Sequence, residues 1–337
     1  MKQMTIKEMA KLAGVSPSAV SIVLNNGKGV SDKTRARIQK IIDETQYVPN
    51  PMARRLLSHR TDNIAVVFNR KISPLDHAFY SELNAVILRE CEKNDLNLML
   101  SSYTFQDGNV QMPGVLKRRD VDGILLYGDL EEEVMKALEA FQLPLVLLDN
   151  SQARSSQLTV TADYNSAAYL ATKHLIGLGH TRIAYLGDPS LPHFSANTLD
   201  GFRRAMAEHG LEIPRGWIGN ILPTGDRQNS FWEELLDGRK GPTAVMCSAD
   251  IYAIQLIRAL KKQGIRVPEQ ISVVGIDNIL IGEYTSPRLT TVEIDIVSMG
   301  QRAMAQLLRL IAGEPADSVV VSSSCLLVRE STAKPPV

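Results

Sequence analysis

Side chains able to hold a polyanion or a polyol stand in this chain at two kinds of place. Thr5, Ser16 and Ser31 each precede a stretch whose apolar residues recur at helical spacing, and Ser21 and Thr34 lie inside such stretches. A hydroxyl at a helix start can cap free amides or meet a phosphate oxygen, helped by the partial positive charge of the helix N-terminus. Asp149, Asn150, Asp188 and Asp277 instead close or follow apolar runs of strand character. There a carboxylate or amide can bind ligand hydroxyls, or simply cap the next helix. Catalysis is not signalled. The chain has no G-x-x-x-x-G-K-[ST], G-x-S-x-G or H-E-x-x-H, and its six histidines form no catalytic set. Cys91, Cys247 and Cys325 lie far apart without histidines at ligand spacing, which points to small buried hydrophobes rather than a disulfide framework or zinc site. No enzyme activity, cofactor or metal is expected.

The elements that must position the first group are short helices. Thr5-Ile6-Lys7-Glu8 is a capping box, followed by Ile6, Met9, Ala10 and Ala13 on one face. Gly14 suits a left-handed helix end, and Ser16-Pro17 supplies a cap followed by proline at the first helical position. A second helix is therefore expected from Pro17 to about Asn25, packing through Ala19, Val20, Val23 and Leu24. Ser31 caps a third over 32–45, with Ile38, Ile41 and Ile42 as its stripe. Two helices joined by a tight turn, completed by a third, make a helix-turn-helix unit whose second helix enters the major groove N-terminus first. Pro17, Ser18, Ser21 and Ile22 then share the outward face. Asn50 and Pro51 start a further helix of only about seven residues, too short to be stable alone, so a partner must order it. Its Arg54, Arg55, Leu56 and Leu57 set cations beside apolar groups, as minor-groove wedges do.

Charge supports that reading. Of 337 residues, 37 are Lys or Arg and 37 Asp or Glu, for no net charge. Residues 1–60 nevertheless hold eleven cations against four anions, a net +7, which leaves −7 on the rest. A basic head on an acidic body attracts a polyanion at one end only, although a solvated basic face would read the same way. No apolar run approaches the roughly 18 residues of a membrane helix, and the N-terminus lacks the continuous greasy core of a signal peptide. The expectation is a cytoplasmic, nucleoid-associated protein with no membrane partner.

From residue 62, Val/Ile/Leu-rich runs at 63–68, 96–102, 123–127 and 144–149 alternate with helical segments. The pattern restarts at 182–187, 244–248 and 271–277, with helices at 164–178, 199–209 and 251–263. Such runs imply parallel sheets covered on both faces, and two blocks imply two lobes with a ligand crevice beyond the strands' carboxyl ends.

The segment from Thr5 to Leu57 resembles the DNA-binding head and hinge helix of the lactose/galactose repressor (LacI/GalR) family of bacterial regulators. VDGILL at 121–126, HLIGLGHTRIAYLG at 174–187, RVPEQISVVGIDN at 266–278, SPRLTTVEID at 286–295 and VREST at 328–332 extend the resemblance nearly end to end. It implies an all-α helix-turn-helix head (1–46), a hinge helix (47–61) and a periplasmic-binding-protein-like α/β body (62–337). The body's two doubly wound parallel-sheet lobes would be about 62–161 plus 293–318, and about 162–290 plus 319–337. By the same resemblance Pro17, Ser18 and Ile22 read base edges, Tyr47 and Asn50 steady the hinge, and Ala53 and Leu56 enter the minor groove. Thr5, Ser16, Ser21, Asn25, Ser31, Thr34 and Arg54 complete the DNA-facing set. Ile22 cannot hydrogen-bond a guanine, so it meets a thymine methyl or acts by exclusion.

The effector crevice is implied to use Phe79 and Tyr80 as stacking aromatics and Asp277 as a carboxylate, joined by Asp149 from the strand-end reading. Thr198 stands where the family places an arginine, Ala249 where asparagine is common, and Ile294 where a polar residue is frequent. His193, Phe194 or Arg227 would supply replacement contacts, and the effector, a sugar or other metabolite, would sit atypically. The implied function is a repressor binding a pseudo-palindromic double-stranded operator as a homodimer, with the helix over 79–93 pairing with its twin. Control by a partner protein, or activation, is the alternative; a solute-binding protein is a remote one, since it would need a secretion signal and no basic head.

Overall fold

The computed structural model describes residues 4–24, 27–45, 47, 60–71, 77–128, 130–150, 157–189, 191–220, 235–237, 240–322 and 325–336. They form two units, Met1–Thr61 and Asp62–Val337, each with its own core.

In the head, α1 (Ile6–Ala13), α2 (Pro17–Leu24) and α3 (Asp32–Thr45) follow the sequence pattern closely. The capping box of α1 is complete: the Glu8 amide donates to Thr5 Oγ1 at 3.3 Å and the Thr5 amide to Glu8 Oε2 at 2.7 Å. Gly14 ends α1 at φ 61°, a conformation free of strain only without a side chain. Met9, Ala10, Ala13, Val20, Val23 and Ile38 are the buried core, with Ile6, Ile41, Ile42 and Tyr47 packed against it. Tyr47 thus joins the head's core, one residue beyond the expected boundary at 46.

The body is two sheets. The first has the strand order β12-β6-β5-β4-β1-β2-β3, built from β1 (Asn63–Asn69), β2 (Asn97–Gln106), β3 (Asn109–Gln111), β4 (Gly123–Tyr127), β5 (Leu145–Leu148), β6 (Thr159–Ala162) and β12 (Val319–Val321). The second has the order β13-β11-β10-β9-β7-β8, from β7 (Ile183–Gly187), β8 (Ile218–Asn220), β9 (Ala244–Cys247), β10 (Ser272–Asp277), β11 (Thr290–Glu293) and β13 (Cys325–Leu327). Their centres are parallel, as the continuous Val/Ile/Leu runs demand. Their edges are not: β3 pairs antiparallel with β2 and β13 antiparallel with β11, so both sheets are mixed. Helices α4 (Ala78–Lys93), α5 (Gly114–Lys117), α6 (Glu132–Glu139), α7 (Tyr164–Gly177), α8 (Pro192–Glu208), α9 (Asp250–Lys262) and α10 (Ile296–Ile311) cover them. The α8 helix begins seven residues before the expected start at 199.

Among the described residues the chain crosses between lobes three times, after β6, after β11 and after β12. Asp163 caps α7 at the first crossing and Asp295 caps α10 at the second, each accepting the amide three residues on. The third crossing corrects the expected lobe boundary. Residues 319–321 pair with β6 in the first sheet, and the chain joins the second sheet only at Cys325. In the second lobe α7 and α8 pack closely enough that a Cβ on Gly201 would lie 2.1 Å from the Asn165 carbonyl oxygen. Cys91 and Cys247 are buried as expected, whereas Cys325 is exposed, because it lies on an edge strand.

Candidate DNA interface and effector crevice

In the head Thr5, Ser16 and Ser31 sit at exposed helix starts, while Thr34 in the first turn of α3 and Ser21 inside α2 are half-buried. Ser16 accepts the Ala19 amide at 3.2 Å, and Ser31 accepts the Thr34 amide at 3.3 Å while bonding the Thr34 hydroxyl at 2.9 Å. All three helix starts are therefore capped by the residues proposed to face phosphate, which fixes their positions. Pro17 and Ser18 are exposed, whereas Ser21 and Ile22 are half-buried. Ile22 leans on the loop after α2: a Cβ on Gly27 would meet its Cγ2 at 3.4 Å. Arg35 ties that loop to α3 by donating to the Gly27 carbonyl at 2.5 Å. Tyr47 is half-buried, and burial raises its phenol above the usual value. Asn25, Asn50, Ala53, Arg54 and Leu56, with the hinge helix they were to form, lie outside the described residues, as does Arg227.

In the body, the strand ends bring a polar and aromatic set together. Asp149 follows β5 at φ 58° and accepts from Tyr80 at 2.9 Å and Tyr164 at 2.5 Å. Tyr80 stacks on Tyr127 at 5.0 Å and 19°, and Tyr127 donates to Asn84 Oδ1 at 2.7 Å. Across from them Asp188, after β7, accepts from Tyr252 at 2.6 Å. Phe194 meets Tyr164 edge-on at 4.8 Å. His77 lies against the Tyr80 ring at 5.1 Å; burial lowers its pKa, partly offset by Asp188. Asp277 ends β10 at 5% exposure. Burial first, then Asp250 and Asp149, hold its carboxyl well above the usual carboxylate range. Asp250, behind it, is pushed up to about 7 by burial although Thr291 and the Ile279 amide donate to it. The crevice is thus built mainly from carboxylates and phenols.

Three expectations do not hold as positions on that crevice. Thr198 has no exposed surface, and its hydroxyl is consumed by Tyr185 at 2.8 Å and the Phe194 carbonyl at 3.1 Å. Ala249 is buried in the second lobe's apolar core. Phe79, at 3% exposure, packs edge-on beneath Tyr80 rather than offering a face to a ligand. His193 is exposed on the first turn of α8, and Ile294 is buried in the main core. Sequence reasoning passed over His77, Tyr127, Tyr164 and Tyr252. The three tyrosines share a signal: each stands at, or within a few residues of, a strand's carboxyl end. Among the described residues no cluster of three potential metal ligands occurs, and no helix is long and apolar enough to cross a membrane.

A three-helix reader followed in sequence by a two-lobed body whose strand ends converge on a polar crevice defines a ligand-responsive DNA-binding regulator. Two family models match along the chain, bacterial regulatory proteins of the lacI family over residues 5–50 and a periplasmic binding protein-like domain over 172–332. The chain belongs to the LacI family. It is 34% identical to the HTH-type transcriptional regulator DegA of Bacillus subtilis, over 98% of each chain. It is 33% identical to the HTH-type transcriptional repressor PurR of Vibrio vulnificus, again over 98% of each. Among solved structures it is similar to the lac repressor dimer bound to operator and the anti-inducer ONPF, with a TM-score of 0.80, 25% identity and coverage of 98% of this chain and all of that one.

Proposed function

We propose that the protein is a transcriptional repressor that binds a pseudo-palindromic operator as a homodimer, with an effector between the lobes changing operator affinity. The observation that carries this is the exposed start of α2: Pro17 and Ser18 stand clear of the core at the end of the helix that a helix-turn-helix reader presents to the major groove. Ile22, half-covered by the following loop, offers only an apolar edge, which suits a thymine methyl. Thr5, Ser16, Ser21, Ser31 and Thr34 face phosphates, Asn25 completes the DNA-facing set of the head, and Tyr47, Asn50, Ala53, Arg54 and Leu56 act through the hinge and minor groove. The working place of such a protein is the nucleoid in the cytoplasm, and no catalytic step is assigned to it.

The dimer uses the face of α4 that carries Ser81, Ala85 and Leu88, continued by the turn Leu280–Tyr284. The Leu280 amide donates to Glu82 at 3.3 Å, and Leu280, Ile281 and Tyr284 are 60%, 52% and 79% exposed. Contiguous exposed apolar groups of this kind mark a partner surface, and a two-fold dimer asks for a two-fold operator.

Selection of duplexes from a random pool by the full chain tests the reading. An inverted repeat with half-sites one helical turn apart is expected, and an asymmetric or absent consensus overturns it.

A further inference from the structure

We infer that the crevice takes a small organic cation, a metabolite with a protonated amine on a hydroxylated body, in place of a neutral sugar; this rests on the effector-crevice reading above. Asp277, presented by the second lobe, has Asp250 beside it, Asp149 of the first lobe opposite and Glu82 of α4 within electrostatic range, and its amide donor is Asp250. Tyr164 and Tyr252, which also feel Asp277, are neutral phenols pushed upward by burial. Arg329 acts on Asp250, but its guanidinium is committed to Asn278, Glu283 and the Leu289 carbonyl. Burial and these acidic neighbours favour the protonated form of Asp277, and a positive group placed between Asp277 and Asp149 favours the ionised form instead.

The walls suit the same ligand. Of the rings in this wall Tyr80, Tyr127 and Tyr164 are buried, and Phe194, edge-on to Tyr164, is partly exposed, so Phe194 offers the aromatic face that attracts a cation or covers the apolar face of a ring. Two polar atoms in this wall remain unsatisfied among the described residues. His77 Nδ1, beside Tyr80, and Asn84 Nδ2, on the residue that receives the Tyr127 hydroxyl, are buried without a hydrogen-bond partner. Asn84 is only 7% exposed, so its open donor is satisfied by a ligand oxygen more readily than by bulk water. Thr198 and Ala249 add no charge to set against the carboxylates, since both are buried in the second lobe.

The test is a thermal-shift and calorimetric comparison on the full chain. D-glucosamine and putrescine are set against N-acetyl-D-glucosamine, D-glucose and D-gluconate, together with a polar metabolite extract split on a strong cation exchanger. Stabilisation is expected from amines and from the retained fraction, with binding at least about tenfold weaker when the amine is acetylated or Asp277 is changed to Asn. The wild-type chain gives a second readout. Binding tightens as pH rises while the amine stays protonated, because the cation favours ionised Asp277, whose pKa burial raises, and expels its proton. Stabilisation by neutral or anionic compounds alone, by the unretained fraction alone, or by nothing in the panel or extract overturns the inference. Operator selection by the ligand-free chain keeps the two readings apart: DNA selection without amine binding sinks this inference only, and the reverse sinks the repressor reading only.

Discussion

The head and the body hold their polar side chains in place by different means. In the head each hydroxyl is fixed by a partner three residues away: Thr5 with Glu8, Ser16 with Ala19, Ser31 with Thr34. In the body the partners lie 15 to 69 residues apart, Tyr164 and Tyr80 on Asp149 and Tyr252 on Asp188. The head's caps are thus local, while its short helices are held by the one core they share around Ile38. The crevice exists only while strands from distant parts of the sequence are in register, which also makes it responsive to lobe movement.

The largest effect should come from Ile38→Ala. Among the described residues the head's buried core is six side chains, and Ile38 is its largest aliphatic one without exposure besides Met9. Truncation removes about 2–5 kcal/mol, comparable to the whole stability of so small a unit. Specific DNA binding should vanish while the body keeps its own calorimetric transition. A body that melts with the head would break the comparison.

Next is Asp149, where two substitutions separate geometry from charge. Asp149→Ala strands the Tyr80 and Tyr164 hydroxyls in a buried site, at about 1–3 kcal/mol each, and puts alanine at a left-handed φ. Asp149→Asn tolerates that backbone and keeps an acceptor, so denaturant midpoints should place it well above the alanine variant. Equal loss in both variants would mean that the charge, rather than the tyrosine clamp, holds the site.

What was legible in the sequence divides along the same line. Caps, the glycine turn and the helical stripes of the head are local signals, and α1, α2 and α3 fall where those signals put them. The central strands are legible because burial on both faces leaves continuous apolar runs. The remaining strands are three or four residues long and carry no such pattern, so β3, β6, β8, β11, β12 and β13 were not foreseen; β3, β8, β12 and β13 are sheet edges, and β12 lies in the lobe opposite the one expected. The crevice was half legible. Strand-end aspartates announced themselves, but which tyrosine reaches which aspartate depends on sheet order. Thr198 and Ala249 stand at positions the resemblance made functional, yet their small side chains are absorbed into packing.

A smaller effect concerns the second lobe's C-terminal segment. His180 bonds Thr243 through Nδ1 at 2.8 Å and the Ala333 carbonyl through Nε2 at 2.9 Å. A carbonyl only accepts, so Nε2 carries the proton and Nδ1 accepts from Thr243. Burial lowers the His180 pKa below its usual 6.5. A lowered pKa contributes stability that is present above 6.5 and lost as pH falls through the folded value. Asp250, raised to about 7, works in the opposite sense, losing its contribution as pH rises toward that value. The melting temperature of His180→Asn should therefore fall less than that of the wild type on acidification below 6.5, whatever Asp250 adds to both.

The smallest effect tests whether a local hydroxyl has one role or two. Thr5→Ala removes the cap on α1 and should lower the head's stability by about 1 kcal/mol. Thr5→Gly is tolerated at an N-cap at a cost of only a few tenths of a kcal/mol and carries no side-chain donor, so most of the head's melting should recover. If Thr5 also meets a phosphate, operator affinity stays reduced in the glycine variant, and by the same factor on random duplex, because a phosphate contact carries no sequence information. Full recovery of DNA binding with the cap would leave Thr5 a capping residue alone, and the head's hydroxyls would then position the reading helix without touching the backbone it lies against.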